Sequence, residues 1–245
     1  MSGAPVVRLG VALPVFEPSA SPALEAAEEA EAAGLDGVFC YDHLWPLGNP
    51  TMPARALFPL LGALAARTER LLIGPLVARI GIMEPEHLVT SLLAVEALSG
   101  GRLIAGLGTG DAKNAPENAA YGVAFAPAGE RRAQLEEVAT RLVAAGVTTW
   151  VGGGAPATNA IALRLGCPLN FWAAAPDDLA AHARLGPVTW AGNLPGDRAE
   201  AAARLSGVAL AGAGWIIVHW PGRAGRLVEA AAAAGLARAA PPPGA

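Results

Sequence analysis

Short runs of β-branched, aromatic and other apolar residues alternate along the chain with alanine-rich segments whose apolar positions recur at helical spacing. This alternation is typical of repeated βα units around a parallel sheet. The strands are predicted at residues 9–15, 37–42, 71–77, 103–108, 148–152, 169–173, 188–192 and 215–219. The helices that follow them are predicted at residues 21–33, 53–67, 85–98, 128–145, 158–165, 176–185, 197–211 and 224–234.

The eight units predict an α/β fold, a single (β/α)8 TIM barrel. Proline in the first turn of several helices and glycine at several helix ends support this count. The barrel is expected to fill residues 1–238, followed by a disordered proline-rich tail at 239–245. A doubly wound open sheet shows the same alternation and is the alternative. It is disfavoured because LGVALPVFEP stands where a glycine-rich dinucleotide-binding turn would follow the first strand.

Composition narrows the classes of protein to which the chain can belong. Of its 245 residues, 53% are hydrophobic and 16% charged, which indicates a heavily buried globule and not a disordered chain. The net charge of −4 is spread without a basic block, so we expect no nucleic-acid partner. Glycine and proline interrupt the longest uncharged run, residues 142–163, so we expect no membrane segment. Two cysteines and no secretion signal at the N-terminus predict a cytoplasmic protein.

Chemistry in a βα barrel is expected at the C-terminal ends of the strands, where active sites are assembled. Four strand ends stand out for their polar and glycine residues. These ends are YDHLW at 41–45, GLGTGD at 106–111, GGG at 152–154 and VHWPG at 218–222. No cluster with the spacing of metal ligands accompanies them, so no metal is expected.

Each of these ends also has a purely structural interpretation. Asp42 and His43 at the second strand end would then only cap and hydrogen-bond a loop. Thr109 and Gly110 at the fourth would only form a tight turn. The run Gly152, Gly153 and Gly154 precedes a helix, an arrangement that can bind an anion but can equally allow close packing. Trp45, His219 and Trp220 are candidates for a substrate pocket, although tryptophan is as often simply large buried surface.

Several segments resemble the bacterial luciferase-like oxidoreductases. The stretch AEEAEAAGLDGVFCYDHLW is similar to the second βα unit of that family, and ARTERLLIGPLV with EPEHLVTSLLAVEALSGGRLIAGLGTGDAKN is similar to the third and fourth. The match covers residues 9–114. The ends GTGD and IIVHWPG resemble the deazaflavin-dependent dehydrogenases and reductases in particular. The resemblance implies the coenzyme F(420), a deazaflavin, with flavin mononucleotide (FMN) as the alternative.

The resemblance also implies roles for single residues. His43 would be the base that accepts a proton from an alcohol as hydride leaves, a role open to histidine near neutral pH. Asp42 would bond the coenzyme ring or orient its loop, and Asp111 would donate a proton or orient the ligand, with a shorter reach than the glutamate usual there. Thr109, Gly110 and the glycine run would contact the coenzyme. A cis peptide against the coenzyme ring is expected at Leu76–Val77, next to Pro75.

The hypothesis from sequence is therefore an oxidoreductase that transfers a hydride between a deazaflavin and a small organic substrate. The alternatives are an FMN-dependent luciferase-like monooxygenase and a coenzyme-binding accessory protein with little turnover. The family resemblance implies a homodimer. The sugar-phosphate substrate of the resembling dehydrogenases is not carried over, because only Arg79, Lys113 and Arg223 fall near the expected mouth.

Overall fold

A parallel β-barrel with helices outside it forms the body of the molecule. The computed structural model describes residues 4–46 and 48–240. The barrel strands are β1 (Val6–Ala12), β2 (Gly37–Cys40), β3 (Leu72–Pro75), β4 (Ala78–Arg79), β5 (Ile104–Gly108), β6 (Thr148–Gly152), β7 (Leu169–Trp172), β8 (Val188–Gly192) and β9 (Ala213–His219). They pair in the order β3-β2-β1-β9-β8-β7-β6-β5-β4. Because β3 and β4 are two segments of the strand predicted at 71–77, the nine segments occupy eight positions.

The barrel closes between this interrupted strand and β5. Ile73 of β3 bridges to Leu103, and the N–H of Ile73 donates to the carbonyl of Arg102 at 2.9 Å. Beyond the interruption, Ala78 of β4 pairs with Leu107 of β5. The predicted eight-position barrel is therefore confirmed. A short strand β10 (Ala237–Arg238) pairs with the start of β1 outside this path.

The helices cover the outside of the barrel close to where the sequence predicts them. They are α1 (Ser21–Ala32), α2 (Leu57–Arg67), α3 (Pro85–Ser99), α4 (Ala115–Ala120), α5 (Ala128–Ala144), α6 (Pro156–Leu165), α7 (Pro176–Ala183), α8 (Arg198–Leu210) and α9 (Ala224–Ala233). The helix predicted from residue 53 begins instead at Leu57, which places Pro59 in the first turn, where its missing N–H costs nothing. Helix α4 and the 3₁₀ turn Ala112–Asn114 before it were not predicted.

Aromatic side chains fill the barrel interior. Phe39, Trp150 and Trp215 pack with ring centroids 5.4–5.8 Å apart. Gly10 and Gly37 leave room for Trp215, since an added Cβ at Gly37 would lie 3.1 Å from its ring. The interior is therefore a packed core and not a pore, and any ligand site must lie above it at a barrel end.

The described part of the C-terminal segment is hydrogen-bonded to β1. The N–H of Ala239 donates to the carbonyl of Val7 at 3.1 Å, and Arg8 donates to the carbonyl of Ala240 at 2.8 Å. Residues 241–245 of the predicted tail lie outside the described residues, so their disorder stays a prediction. Among the described residues, no helix has the length and apolar character needed to cross a bilayer.

Candidate active site

A cavity of about 850 Å³ opens at the C-terminal ends of the strands. This volume is in the range of small-molecule sites, which are roughly 300–1,000 Å³. It is bordered by residues from the ends of β2, β6, β7 and β9 and from the loops that follow β1, β3, β5 and β8. The lining residues are Phe16, Tyr41, His43, Pro46, Leu76, Val77, Asp111, Gly152, Gly153, Asn170, Trp172, Asn193 and His219.

His43 lies on the cavity wall just beyond β2, and a buried carboxylate contacts it from behind. Its Nδ1 lies 2.9 Å from Oε2 of Glu117, whose side chain is 1% exposed. The described residues make no hydrogen bond to Nε2, on the opposite edge of the ring. The structure thus brings the predicted His43 to the cavity and supplies it with a partner.

Glu117 is the centre of a polar network beneath the cavity. Its carboxylate accepts the backbone N–H of Leu44 at 2.8 Å, a guanidinium N–H of Arg79 at 3.0 Å and the side-chain amide of Asn114 at 3.2 Å. Burial acts to raise the pKa of Glu117, but the hydrogen bond and charge of His43, the Leu44 N–H and the Arg79 charge outweigh it. The net result is a pKa below the ordinary value, so this buried carboxylate is ionised at neutral pH.

Asp42 lies behind the cavity wall. It does not line the cavity, and its Oδ2 accepts the backbone N–H of Arg79 at 2.8 Å. Burial raises the pKa of Asp42, and this N–H only partly offsets the effect. This contact joins the loop after β2 to β4. Both predicted roles of Asp42, bonding the coenzyme ring and orienting its loop, stay predictions.

The end of β5 brings Asp111 to the cavity. Asp111 is exposed and lines the cavity, while Oδ1 accepts the N–H of Lys113 at 2.8 Å and caps the 3₁₀ turn. Gly110 has a positive φ of 64°, which glycine adopts without strain. Thr109 and Gly110 are partly buried and do not line the cavity, and the carbonyl of Thr109 accepts Arg131 Nε at 2.8 Å. Both therefore shape this turn in the structure, and their contact with a coenzyme stays a prediction.

The interruption between β3 and β4 forms an apolar part of the wall. The Leu76–Val77 bond is cis, as the sequence resemblance implies. Leu76 and Val77 both line the cavity, and Leu76 donates its N–H to the carbonyl of Cys40 at 2.8 Å. The interruption therefore presents two apolar side chains to whatever occupies the cavity.

The glycine run after β6 is only partly as expected. Gly152 and Gly153 line the cavity and present no side chain to it. The N–H of Gly153 donates to the carbonyl of Asn170 at 2.7 Å, and that of Gly154 donates to the side chain of Asn159 at 3.0 Å. These two donors are already bonded within the chain, so phosphate binding by the run stays a prediction.

Aromatic rings form part of the cavity wall. Tyr41 is stacked between Phe16 at 5.7 Å and His219 at 6.0 Å, and the edge of Trp172 approaches it at 6.1 Å. The predicted pocket residue His219 is therefore at the cavity, but Trp45 and Trp220 are not among its lining residues. Trp220 instead packs against the hydrophobic core.

Six residues at the site were missed from the sequence: Phe16, Pro46, Glu117, Asn170, Trp172 and Asn193. All of these except Glu117 lie in a predicted strand or within a few residues after one, and this position is a signal that could have indicated them. Glu117 carries no such signal, because it lies on a short helix whose position depends on tertiary contacts.

Comparisons with known proteins place the chain in a family. Residues 7–146 match the family model described as luciferase-like monooxygenase. An F420-dependent glucose-6-phosphate dehydrogenase of Nakamurella multipartita is 32% identical over 134 residues, which cover 54% of this chain and 39% of the relative. One of Microbacterium testaceum is 36% identical over 112 residues, 45% of this chain and 32% of the relative. The chain thus matches well under two thirds of the length of these relatives.

Solved structures show the same fold at low sequence identity. An F420-dependent secondary alcohol dehydrogenase in complex with an F420-acetone adduct superposes with a TM-score of 0.77 at 14% identity, covering 94% of this chain and 99% of that one. A monooxygenase from Streptomyces bottropensis gives 0.71 at 17% identity, covering 94% and 97%. Since the family model matches more than half of the sequence, the chain belongs to the luciferase-like monooxygenase family.

Proposed function

We propose that this chain is an oxidoreductase that transfers a hydride between a deazaflavin coenzyme and a small organic substrate. The observation that carries the proposal is His43, held at Nδ1 by the buried Glu117 and lining a cavity at the strand ends. The F420-dependent names of the relatives that match about half of the chain support a deazaflavin over FMN.

The residues at the cavity fit a planar coenzyme ring. The volume of about 850 Å³ leaves room for a ring system and a small substrate together. Leu76 and Val77 provide an apolar surface, while Gly152 and Gly153 allow close approach to the backbone. These four residues would hold the ring, which when bound supplies the hydride acceptor or donor.

Proton transfer is assigned to His43. A neutral imidazole has one N–H, and the carboxylate of Glu117 favours that proton on Nδ1. The lone pair is then on Nε2, where it can accept the hydroxyl proton of an alcohol as the hydride leaves. The ionised Glu117 also stabilises the imidazolium that results. Asp111, with one oxygen engaged in the cap, is proposed to orient the substrate or donate a proton.

We also propose that the protein acts as a homodimer in a reducing, cytoplasmic compartment. Exposed Leu93 and Leu98 on α3 and Val143 on the neighbouring α5 support a subunit interface on this side of the barrel. Cys40 and Cys167 are both buried and free of disulfide bonds, which supports the compartment.

A hydride-transfer assay tests the proposed activity. Purified protein is mixed with oxidised deazaflavin and a panel of alcohols, and coenzyme reduction is followed by absorbance. We expect reduction that requires both alcohol and protein and proceeds without oxygen. Oxidation that instead needs reduced FMN and oxygen would establish the monooxygenase alternative. Coenzyme binding without turnover of any substrate would establish the accessory protein.

A further inference from the structure

The cavity contains very little charge. Among its described lining residues, Asp111 carries the only carboxylate, and none is lysine or arginine. Arg79 is 4% exposed, pairs with Glu117 through Nη1 beneath the wall and does not line the cavity. Burial lowers the pKa of His219, so this ring is neutral at neutral pH. An anionic substrate group would meet this carboxylate with no lysine or arginine on the described cavity wall to compensate it, which is unfavourable in a partly desolvated site.

One side of the cavity is an aromatic surface. The rings of Phe16 and Tyr41 are nearly parallel, with an interplanar angle of 6°, and the rings of Tyr41 and His219 are at 25°. Trp172 is 51% exposed although it belongs to this wall. Exposed aromatic surface in a concave site is typical of positions that a ligand covers, and flat apolar groups stack well on such rings.

From these two features we propose that the substrate is an uncharged alcohol, or its carbonyl product, with a flat apolar body, and not a sugar phosphate. The inference rests on the proposed function. In the oxidation, the C–H bond of the alcohol would break, and a bound oxidised deazaflavin would supply the acceptor for its hydride. The hydroxyl proton passes to Nε2 of His43 and a C=O bond forms. Hydride and proton together account for the two electrons and two protons lost by the alcohol.

A matched pair of ketones tests this substrate class. Acetophenone has an uncharged flat body, and 4-acetylbenzoate has the same body with one negative charge. A ketone does not react with oxidised deazaflavin, so isothermal titration calorimetry of the protein saturated with that coenzyme measures binding alone. We expect acetophenone to bind at least about tenfold more tightly than 4-acetylbenzoate.

Two variants connect this preference to the residues. Asp111→Asn keeps an acceptor for the N–H of Lys113 but removes the negative charge. The difference in affinity between acetophenone and 4-acetylbenzoate should therefore become smaller. Trp172→Ala should weaken acetophenone binding by roughly fivefold or more, since aromatic contacts contribute ~1 kcal/mol beyond buried area. Leu210→Ala is the control, because Leu210 is 74% exposed at the end of α8 and does not line the cavity. Far-UV circular dichroism verifies that each variant is folded.

The outcomes separate this inference from the proposed function. Equal or tighter binding of 4-acetylbenzoate, or no binding of either ketone, overturns the substrate class while leaving hydride transfer intact. Failure of deazaflavin itself to bind contradicts the proposed function. The ketone comparison is then made on the free protein, where the same preference supports the inference and its absence overturns it.

Discussion

His43 is the residue on which the proposed chemistry depends. It lines the cavity, with Glu117 behind it at 2.9 Å. Replacing it by alanine removes proton transfer but none of the surfaces proposed to hold the coenzyme. General acid–base catalysis contributes typically about 10²–10⁴ in rate, so turnover should fall by that order while coenzyme affinity changes little. Steady-state kinetics and a coenzyme titration measure the two effects. Undiminished turnover in a folded His43→Ala protein would exclude His43 as the base.

Glu117 belongs to the candidate site and, in its ionised form, also contributes to the stability of the folded protein. Because the pKa of Glu117 is below its ordinary value of 4.5, its ionised form stabilises the fold above that pH, and this is lost as pH falls through the lowered pKa. Glu117→Gln leaves the buried Arg79 without its anion, which costs about 3 kcal/mol or more at pH 7. Urea unfolding at several pH values should show this deficit shrinking below pH 4.5.

The matched control for this substitution is Glu28→Gln. Glu28 pairs with Arg67 on the surface, where both side chains are largely exposed, so its loss should cost no more than about 1 kcal/mol. A deficit that is the same at all pH values would mean that the charge of Glu117 does not contribute to stability.

The interrupted strand of β3 and β4 is the element that closes the barrel. An added Cβ at Gly74 would lie 2.0 Å from the carbonyl oxygen of Ile104, a backbone atom that cannot move independently. Gly74→Ala should therefore destabilise the protein by several kcal/mol, about 3 or more. At Gly62, inside α2, an added Cβ meets nothing within 4 Å, so Gly62→Ala should stabilise by ~1 kcal/mol. Denaturant unfolding compares the two variants. Equal changes in the free energy of unfolding would contradict the close approach of Gly74 to the backbone of Ile104.

Most elements were predictable because each carries its own local pattern. The strands Thr148–Gly152 and Val188–Gly192 have the bounds that the sequence predicts, since apolar runs with clear breaks define them. Helix α4 was not predictable, because its sequence APENAA is short and has no apolar periodicity. The contacts of Glu117 with His43 and Arg79 hold it instead, and Asp111 caps the 3₁₀ turn that precedes it.

The residues of the candidate site also divide into those that a local sequence pattern indicates and those that only the folded molecule brings together. His43, Asp111 and His219 were found because a barrel brings its strand ends to one mouth. Glu117 and Arg79 are 38 positions apart, and only barrel closure brings them together. The exclusion of Trp45 and Trp220 from the cavity lining likewise depends on side-chain directions that the sequence does not determine.

The exposed apolar side of the barrel predicts a dimer. Leu98 is 69% exposed on α3, and Leu93 is 36% exposed on the same helix. Light scattering after size exclusion should give twice the chain mass of 24.6 kDa. Leu98→Lys should shift the mass toward that of one chain, while Leu185→Lys, a similarly exposed site after α7, should not. A wild-type mass of one chain would contradict the proposed dimer.

The identity of the coenzyme is the central claim, and an equilibrium titration of the purified protein with deazaflavin and with FMN tests it most directly. We expect the dissociation constant for deazaflavin to be at least about tenfold lower. Gly153→Val should weaken deazaflavin binding, because an added Cβ would lie 2.6 Å from Phe171 Cε1, whereas Gly129→Val in α5 meets nothing within 4 Å and should not. Equal or tighter binding of FMN by the wild-type protein would contradict the account.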